Sequence, residues 1–299
     1  MAVLCAAVLF CTIVFSCRPA ADNRARSGAE RVVSLVPALT EIAFAVGAGD
    51  RVVGVSNYCD YPPAVAGLPK VGSFVAPVAE QVLALRPDLV LTSPSPGNEN
   101  PVRAMERTGI RVVVVDNESN IEAARRAVLQ VAGLLGAPER GRALVERMDA
   151  QFAEAAASGR RNGSGPALEP APAVAIVVGR EPLVLAGPHS YLGELIGVVG
   201  GRNIAAPAGG RWPRISLEQL LAAAPAVLID LSMGSETPET EERLRAYWSR
   251  YAATPAVASG RVFAAQPNVF LRPGPRLGAA ALSLAQMIHG RSAGAVGAQ

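Results

Sequence analysis

Histidine, cysteine, aromatic residues and net charge are all scarce in this chain. Two histidines among 299 residues, His189 and His289, stand far apart, which argues against a multi-histidine zinc or manganese cage. Cys5, Cys11 and Cys17 all lie at the amino terminus. Cys59 is then the one cysteine in the body of the chain, and no internal disulfide can form there. The 28 Lys and Arg against 25 Asp and Glu leave a net charge of only +3, with no basic run, so the charge balance does not suit a nucleic-acid binder. Catalytic signatures are missing as well. "VGAGDRV" has Val52 where a dinucleotide motif needs its third glycine, and there is no GxSxG elbow or Walker loop. The chain therefore does not read as an enzyme, and a metal-dependent hydrolase is kept only as the third reading. Aromatics make up 5% of residues, which makes any that fall in loops more informative.

Half of the residues are hydrophobic, enough for a substantial core, and the length suits two. Residues 1–16 form an apolar run broken only by Thr12 and Ser16, shorter than the roughly 20 residues that cross a bilayer as a helix. The run suits the hydrophobic region of a secretory signal. "VFSC" resembles a bacterial lipobox, in which Cys17 is lipidated and becomes the first mature residue. No Lys or Arg precedes the run, and Phe15 is bulky for its place. A plain secretory signal and an anchor helix therefore remain open. Each of these readings takes the protein out of the cytoplasm, lipid-anchored at the periplasmic face of a membrane if Cys17 is lipidated and soluble in the periplasm if the lipobox is not used.

From Arg31 strands and helices alternate, the pattern of an α/β fold. "RVVSLV", "RVVGVS", "DLVLTS" and "IRVVVVD" are expected strands, the last buried on both faces. "PALTEIAFAVG" and "VAEQVLALR" are expected helices, with a short one near Val102–Thr108. Ser119 and Glu122 form a capping-box pattern that opens the next, and Gly136 closes it. Residues 138–158 then carry no strand signal and predict one long helix, with Val145, Met148, Phe152 and Ala155 as its buried stripe. A polar Gly/Pro-rich connector follows, and alternation resumes at "AVAIVVG". "AEQVLALRPDLVL", from Ala79, returns 138 residues later as "LEQLLAAAPAVLI", with Glu80/Glu218, Gln81/Gln219, Leu83/Leu221, Ala84/Ala222 and Pro87/Pro225 identical. Each copy encodes a short helix, a proline stop and a buried strand. Matching units on both sides of a long helix predict two similar lobes of parallel-type sheet with flanking helices, joined by a rigid strut. The expected boundaries are a leader at 1–16, a tether at 17–30, lobes at 31–137 and 172–290, the linker helix at 138–159, a connector at 160–171 and a tail at 291–299.

Tyr58, Phe74, Trp212 and Phe270 fall in segments without helical or strand periodicity. Flat rings of this kind suit the wall of a cleft that holds a large, partly apolar molecule, since they offer wide contact with little rotamer freedom to lose.

"RVVSLVPALTEIAFAVGAGDRVVGVSNYCDYPPAVAGLPKVGSF" resembles the first lobe of the helical-backbone substrate-binding proteins of ABC importers, and the periplasmic cobalamin-binding branch most of all. "EQVLALRPDLVL", "GIRVVVVD", "GELIGVVGGRNI", "RWPRISLEQLLAAAPAVLI" and "FLRPGPR" follow in the same order, so the resemblance spans about residues 31–290. It implies a monomeric receptor with no permanent cofactor, which holds cobalamin or a related corrinoid in a ligand cleft between the two lobes and carries it to a permease dimer with its ATPase subunits. Related branches carry ferric siderophores or haem. By the same resemblance Tyr58, Phe74 and Trp212 stack on the corrin, while Asn268 and Arg272 make polar contacts from the second lobe. Asn268 stands where an acid is frequent, and Phe74 where a tryptophan is. Ser93 and "PSPGNENP" replace a further tryptophan found in some members. Tyr58 or Cys59 as an iron ligand keeps haem open. Arg276 is expected to position its loop. Glu80 and Glu218 are expected to dock against arginines of the permease.

Overall fold

The computed structural model describes residues 28–161, 171–232, 241–265 and 267–290. The leader with Cys17, most of the tether, nearly all of the connector and the carboxyl-terminal tail lie outside the described residues. The first half contains β1 (Val32–Ser34), α1 (Pro37–Ala45), β2 (Val52–Val55), α2 (Ala79–Ala84), β3 (Leu89–Thr92), α3 (Glu99–Glu106), β4 (Arg111–Val114) and α4 (Ile121–Leu134). Its four strands are all parallel, in the order β2-β1-β3-β4. The long helix α5 (Pro138–Arg161) follows. The second half contains β5 (Ala173–Arg180), β6 (Leu183–Leu185), α6 (Tyr191–Val198), β7 (Arg202–Asn203), α7 (Leu217–Ala222), β8 (Val227–Asp230), α8 (Glu241–Ser249), α9 (Pro255–Ala258), β9 (Val262–Ala264), α10 (Pro267–Phe270) and α11 (Leu277–His289). Strands β5, β8 and β9 run parallel, β6 pairs antiparallel with β5, and β7 adds a short parallel pairing.

Strand periodicity sorts the side chains onto two faces. Val32, Leu89 and Leu91 enter the main core, while Val33 and Val90 pack with Val82 and Met105 on the opposite face. Strand β4 departs from the expectation of burial on both faces: it lies at the sheet edge, and Val114 is 48% exposed. Helix α4 starts one residue later than the Ser119 pattern suggests. The Ser119 amide donates to Asp116 Oδ1 at 3.2 Å, so Asn120 becomes the cap and accepts from the Ala123 amide at 2.7 Å.

At 1.5 Å per residue, the 24 residues of α5 extend about 36 Å. Its buried stripe is Leu144, Met148, Phe152 and Ala155, with Val145 only half-buried. Met148, Phe152 and Ala155 are buried as expected; only at the start of the stripe does Leu144 replace Val145, where α4 and α11 flank the helix on two sides. This packing makes α5 more than a strut. One apolar core continues through Ile42 of α1, Val131 of α4, Met148 of α5, Ile196 of α6 and Leu284 of α11. Helices α5 and α11 approach closely at Gly278, where a Cβ atom would lie 2.3 Å from Gln151 Oε1 and 2.8 Å from its Cβ. Gly278→Val is expected to lower stability by about 2 kcal/mol through overpacking. An unchanged melting temperature would show that the two helices separate without cost.

Candidate ligand cleft

In open parallel sheets, ligands sit outside the carboxyl ends of the strands. Here the loops leaving those ends meet across the two halves. Asn117 Nδ2, after β4, donates to Pro273 O at 3.2 Å. Glu194 of α6 accepts the Ile121 amide at 2.8 Å, placing a carboxylate at the amino end of α4, where the helix dipole favours negative charge. Arg211 Nη1 reaches Ser119 Oγ at 3.4 Å.

Buried contacts of Cys59 anchor the turn after β2. Cys59 is buried, with its Sγ 3.2 Å from Thr40 Oγ1 and 3.3 Å from Ser56 Oγ, while its neighbour Tyr58 turns outward and is 54% exposed. Cys59 is thus packed within the core, whereas Tyr58 presents its ring and phenol outside it. Tyr58 meets the half-buried Phe74 edge-on, with centroids 5.7 Å apart. The Phe74 carbonyl accepts from Asn98 Nδ2 at 3.3 Å, tying the loop after β3 to this pair.

Trp212 is held from behind by its backbone. Gly187 N donates to Arg211 O at 2.8 Å, and Leu185 N to Pro213 O at 3.1 Å. The approach needs glycine at 187, because a Cβ there would lie 2.4 Å from Gly210 O. The Trp212 ring is 37% exposed and meets the buried ring of Tyr191 edge-on at 6.0 Å. Burial raises the Tyr191 phenol well above the ordinary range, so it stays neutral at physiological pH. Glu118, near Arg211, keeps solvent access on one side while protein walls the rest of it. This loss of water holds its carboxyl above the ordinary range.

Phe270 requires a correction. It ends the short helix α10, is only 2% exposed and belongs to the main core. The gap between β9 and α11 is not pure loop, and one turn of helix turns this ring inward. Asn268 and Arg272 lie at the junction of the halves. Arg272 forms a two-pronged ion pair with Asp60: Nη1 binds Oδ1, and Nη2 donates to Oδ2 and to Tyr58 O, each at 3.0 Å. Asn268 Nδ2 donates to Asp60 Oδ2 at 3.0 Å. Arg276 donates from Nε and Nη2 to Glu41 at 2.8 and 2.6 Å, binds Asn268 O at 2.9 Å and lies 4.2 Å over the Tyr61 ring. Arg272 Nη1 also stands 3.8 Å from Glu41 Oε1. Two carboxylates from the first half therefore balance two guanidiniums from the second. Hydrogen bonding to Arg272 holds the Asp60 carboxyl below the ordinary range. Burial raises that of Glu41 despite Arg276, because its side chain is only 2% exposed.

Asp60, Glu41, Glu118 and Tyr191 were not singled out by the sequence reading. Glu41 had a signal, as the one charged residue in an otherwise apolar helix, "PALTEIAFA". Asp60 lay inside the distinctive segment "SNYCDYPP" without standing out from it. Glu80 and Glu218 fall outside this network, on exposed first turns of α2 and α7.

Two α/β halves sharing a helical core, with aromatic rings and balanced charges where their sheets' carboxyl ends converge, define a two-lobed solute-binding protein. Residues 32–269 match the family model described as periplasmic binding protein, and the chain belongs to that family. The vitamin B12-binding protein of Yersinia pestis (strain Pestoides F) is 30% identical over 260 residues, covering 87% of this chain and 86% of its own. The periplasmic heme-binding protein RhuT from Roseiflexus sp. RS-1, solved in apo form, is 31% identical. It superposes with a TM-score of 0.76 over 88% of this chain and 98% of its own. The periplasmic vitamin B12 binding protein BtuF of Vibrio cholerae superposes with a TM-score of 0.72 over 87% and 97%; at 24% identity that likeness speaks for the fold.

Proposed function

We propose that this protein captures cobalamin or a related corrinoid between its lobes and delivers it to the permease of an ABC importer. The observation that carries this reading is the outward display of Tyr58 and Trp212 from loops at the carboxyl ends of the two sheets. Such rings favour a broad, flat, partly apolar ligand, and the extensive similarity to a vitamin B12-binding protein points to the corrin ring. Export by the leader and tethering through Cys17 belong to the same reading.

Haem is the second reading. It draws on the similarity to a heme-binding protein and on the exposed Tyr58 phenol, a group able to ligate ferric iron. Titration calorimetry of the mature protein with cyanocobalamin, dicyanocobinamide and haemin separates the two. Saturable binding of a corrinoid is expected. Trp212→Ala is expected to cost about 2 kcal/mol, roughly thirtyfold in affinity, as for a buried aromatic anchor. Binding of haemin alone, with no corrinoid heat, would overturn the cobalamin reading.

A further inference from the structure

We propose that Asp60 determines cargo specificity by occupying Arg272, so that the cleft favours uncharged, amide-rimmed rings over rings bearing carboxylates. This rests on the reading of the chain as a macrocycle receptor and concerns which macrocycle it accepts. A guanidinium recognises a carboxylate through the parallel donors of its fork. Here Nη1 and Nη2 of Arg272 already grip both oxygens of Asp60, and Nη2 also serves Tyr58 O. The side chain is 11% exposed, and Glu41 stands 3.8 Å from its Nη1. An incoming carboxylate would meet a filled fork and two resident negative charges. Asn268 uses one of its two amide N–H donors on the same Asp60 oxygen, and its side-chain carbonyl remains to accept a hydrogen bond. Asp60 itself is half-exposed, with acceptor capacity remaining on its outer side. Amide N–H groups match that display; carboxylates do not.

Asp60→Asn keeps the shape and removes the charge, so Arg272 regains an unneutralised positive charge. Haemin, whose propionates are carboxylates, is expected to bind at least about tenfold more tightly to this variant, the scale of one charge-assisted hydrogen bond. Cyanocobalamin affinity should hold or fall by up to about tenfold, because the variant gives up an ionised acceptor for the amide rim; the preference between the two rings therefore shifts towards haemin. Adding Arg272→Gln to Asp60→Asn should erase the haemin gain, which a merely structural role for Asp60 would not do. Asp60→Ser provides a second variant if the first does not fold. Haemin affinity that stays level or falls in the folded variant would overturn the proposal, as would a gain that survives Arg272→Gln. Failure of every form to bind a corrinoid would overturn the cargo reading instead, while the haemin arm would still decide the role of Asp60.

Discussion

Reversing two surface charges together, Glu80→Arg with Glu218→Arg, is expected to abolish cargo uptake in cells while leaving binding to the purified protein within about twofold. The two glutamates occupy equivalent places. Helices α2 and α7 are both six residues long, with the glutamate exposed in the first turn and Val82 or Leu220 buried beneath. Among the described residues two non-glycines have positive φ, Arg86 at 47° and Ala224 at 45°, and they follow these helices at matching positions. A proline comes next in each copy. It disfavours the right-handed helical conformation for the residue before it and so ends the helix. Exposed apolar side chains, Val78 beside Glu80 and Leu217 and Leu221 beside Glu218, complete two small patches suited to a protein partner. A glutamate in a first helical turn stabilises its helix by only about 0.3–1 kcal/mol, so folding should survive the reversal. Labelled-corrinoid uptake in cells, set beside calorimetry on the same variant, is the measurement. Normal uptake by the double variant would remove these residues from permease docking, and lost cargo binding would place them in the cleft instead.

Arg276→Ala is expected to destabilise the fold by about 3 kcal/mol near neutral pH, because it strands the buried carboxylate of Glu41. Glu41 is 2% exposed and takes two hydrogen bonds from Arg276; Arg272, at 3.8 Å and engaged with Asp60, is a poor substitute. The pH dependence has a defined sign. A carboxyl whose folded pKa lies above its unfolded value contributes stability that is complete below the ordinary carboxylate range. That contribution fades as pH rises through the folded value. Glu41 is already raised by burial, and losing Arg276 raises it further. The gap between variant and parent should therefore widen from about pH 5 to about pH 7.5. Asp60, held low by Arg272, stays ionised across that window and adds no slope. Urea unfolding at the two pH values tests this. A loss under about 1 kcal/mol, or one equal at both, would mean that Glu41 finds water or another partner. The double variant Glu41→Leu with Arg276→Met should recover most of the stability, since neither charge is then left buried alone.

Local chemistry made much of the fold legible. Pro37 begins α1, the doubled phrase gives two equivalent helix–strand units, and the strandless stretch after Pro138 is one helix. Each of these features depends on residues a few positions apart. The cleft was legible only in part. Tyr58 and Trp212 do extend outward from their loops, yet Phe270, chosen on the same grounds, is core. A ring in an aperiodic segment faces solvent or core according to what the rest of the chain places over it.

The sequence alone determined the alternation of strands and helices, the long connecting helix and the repeated glutamate, because propensity, periodicity and proline act over short stretches. Only the tertiary structure brought Asp60 to Arg272 across 212 positions and Glu41 to Arg276 across 235. Such pairs exist because each half ends its strands towards the other, and charges withdrawn from water there must find partners in whatever segment faces them. No local pattern records that choice.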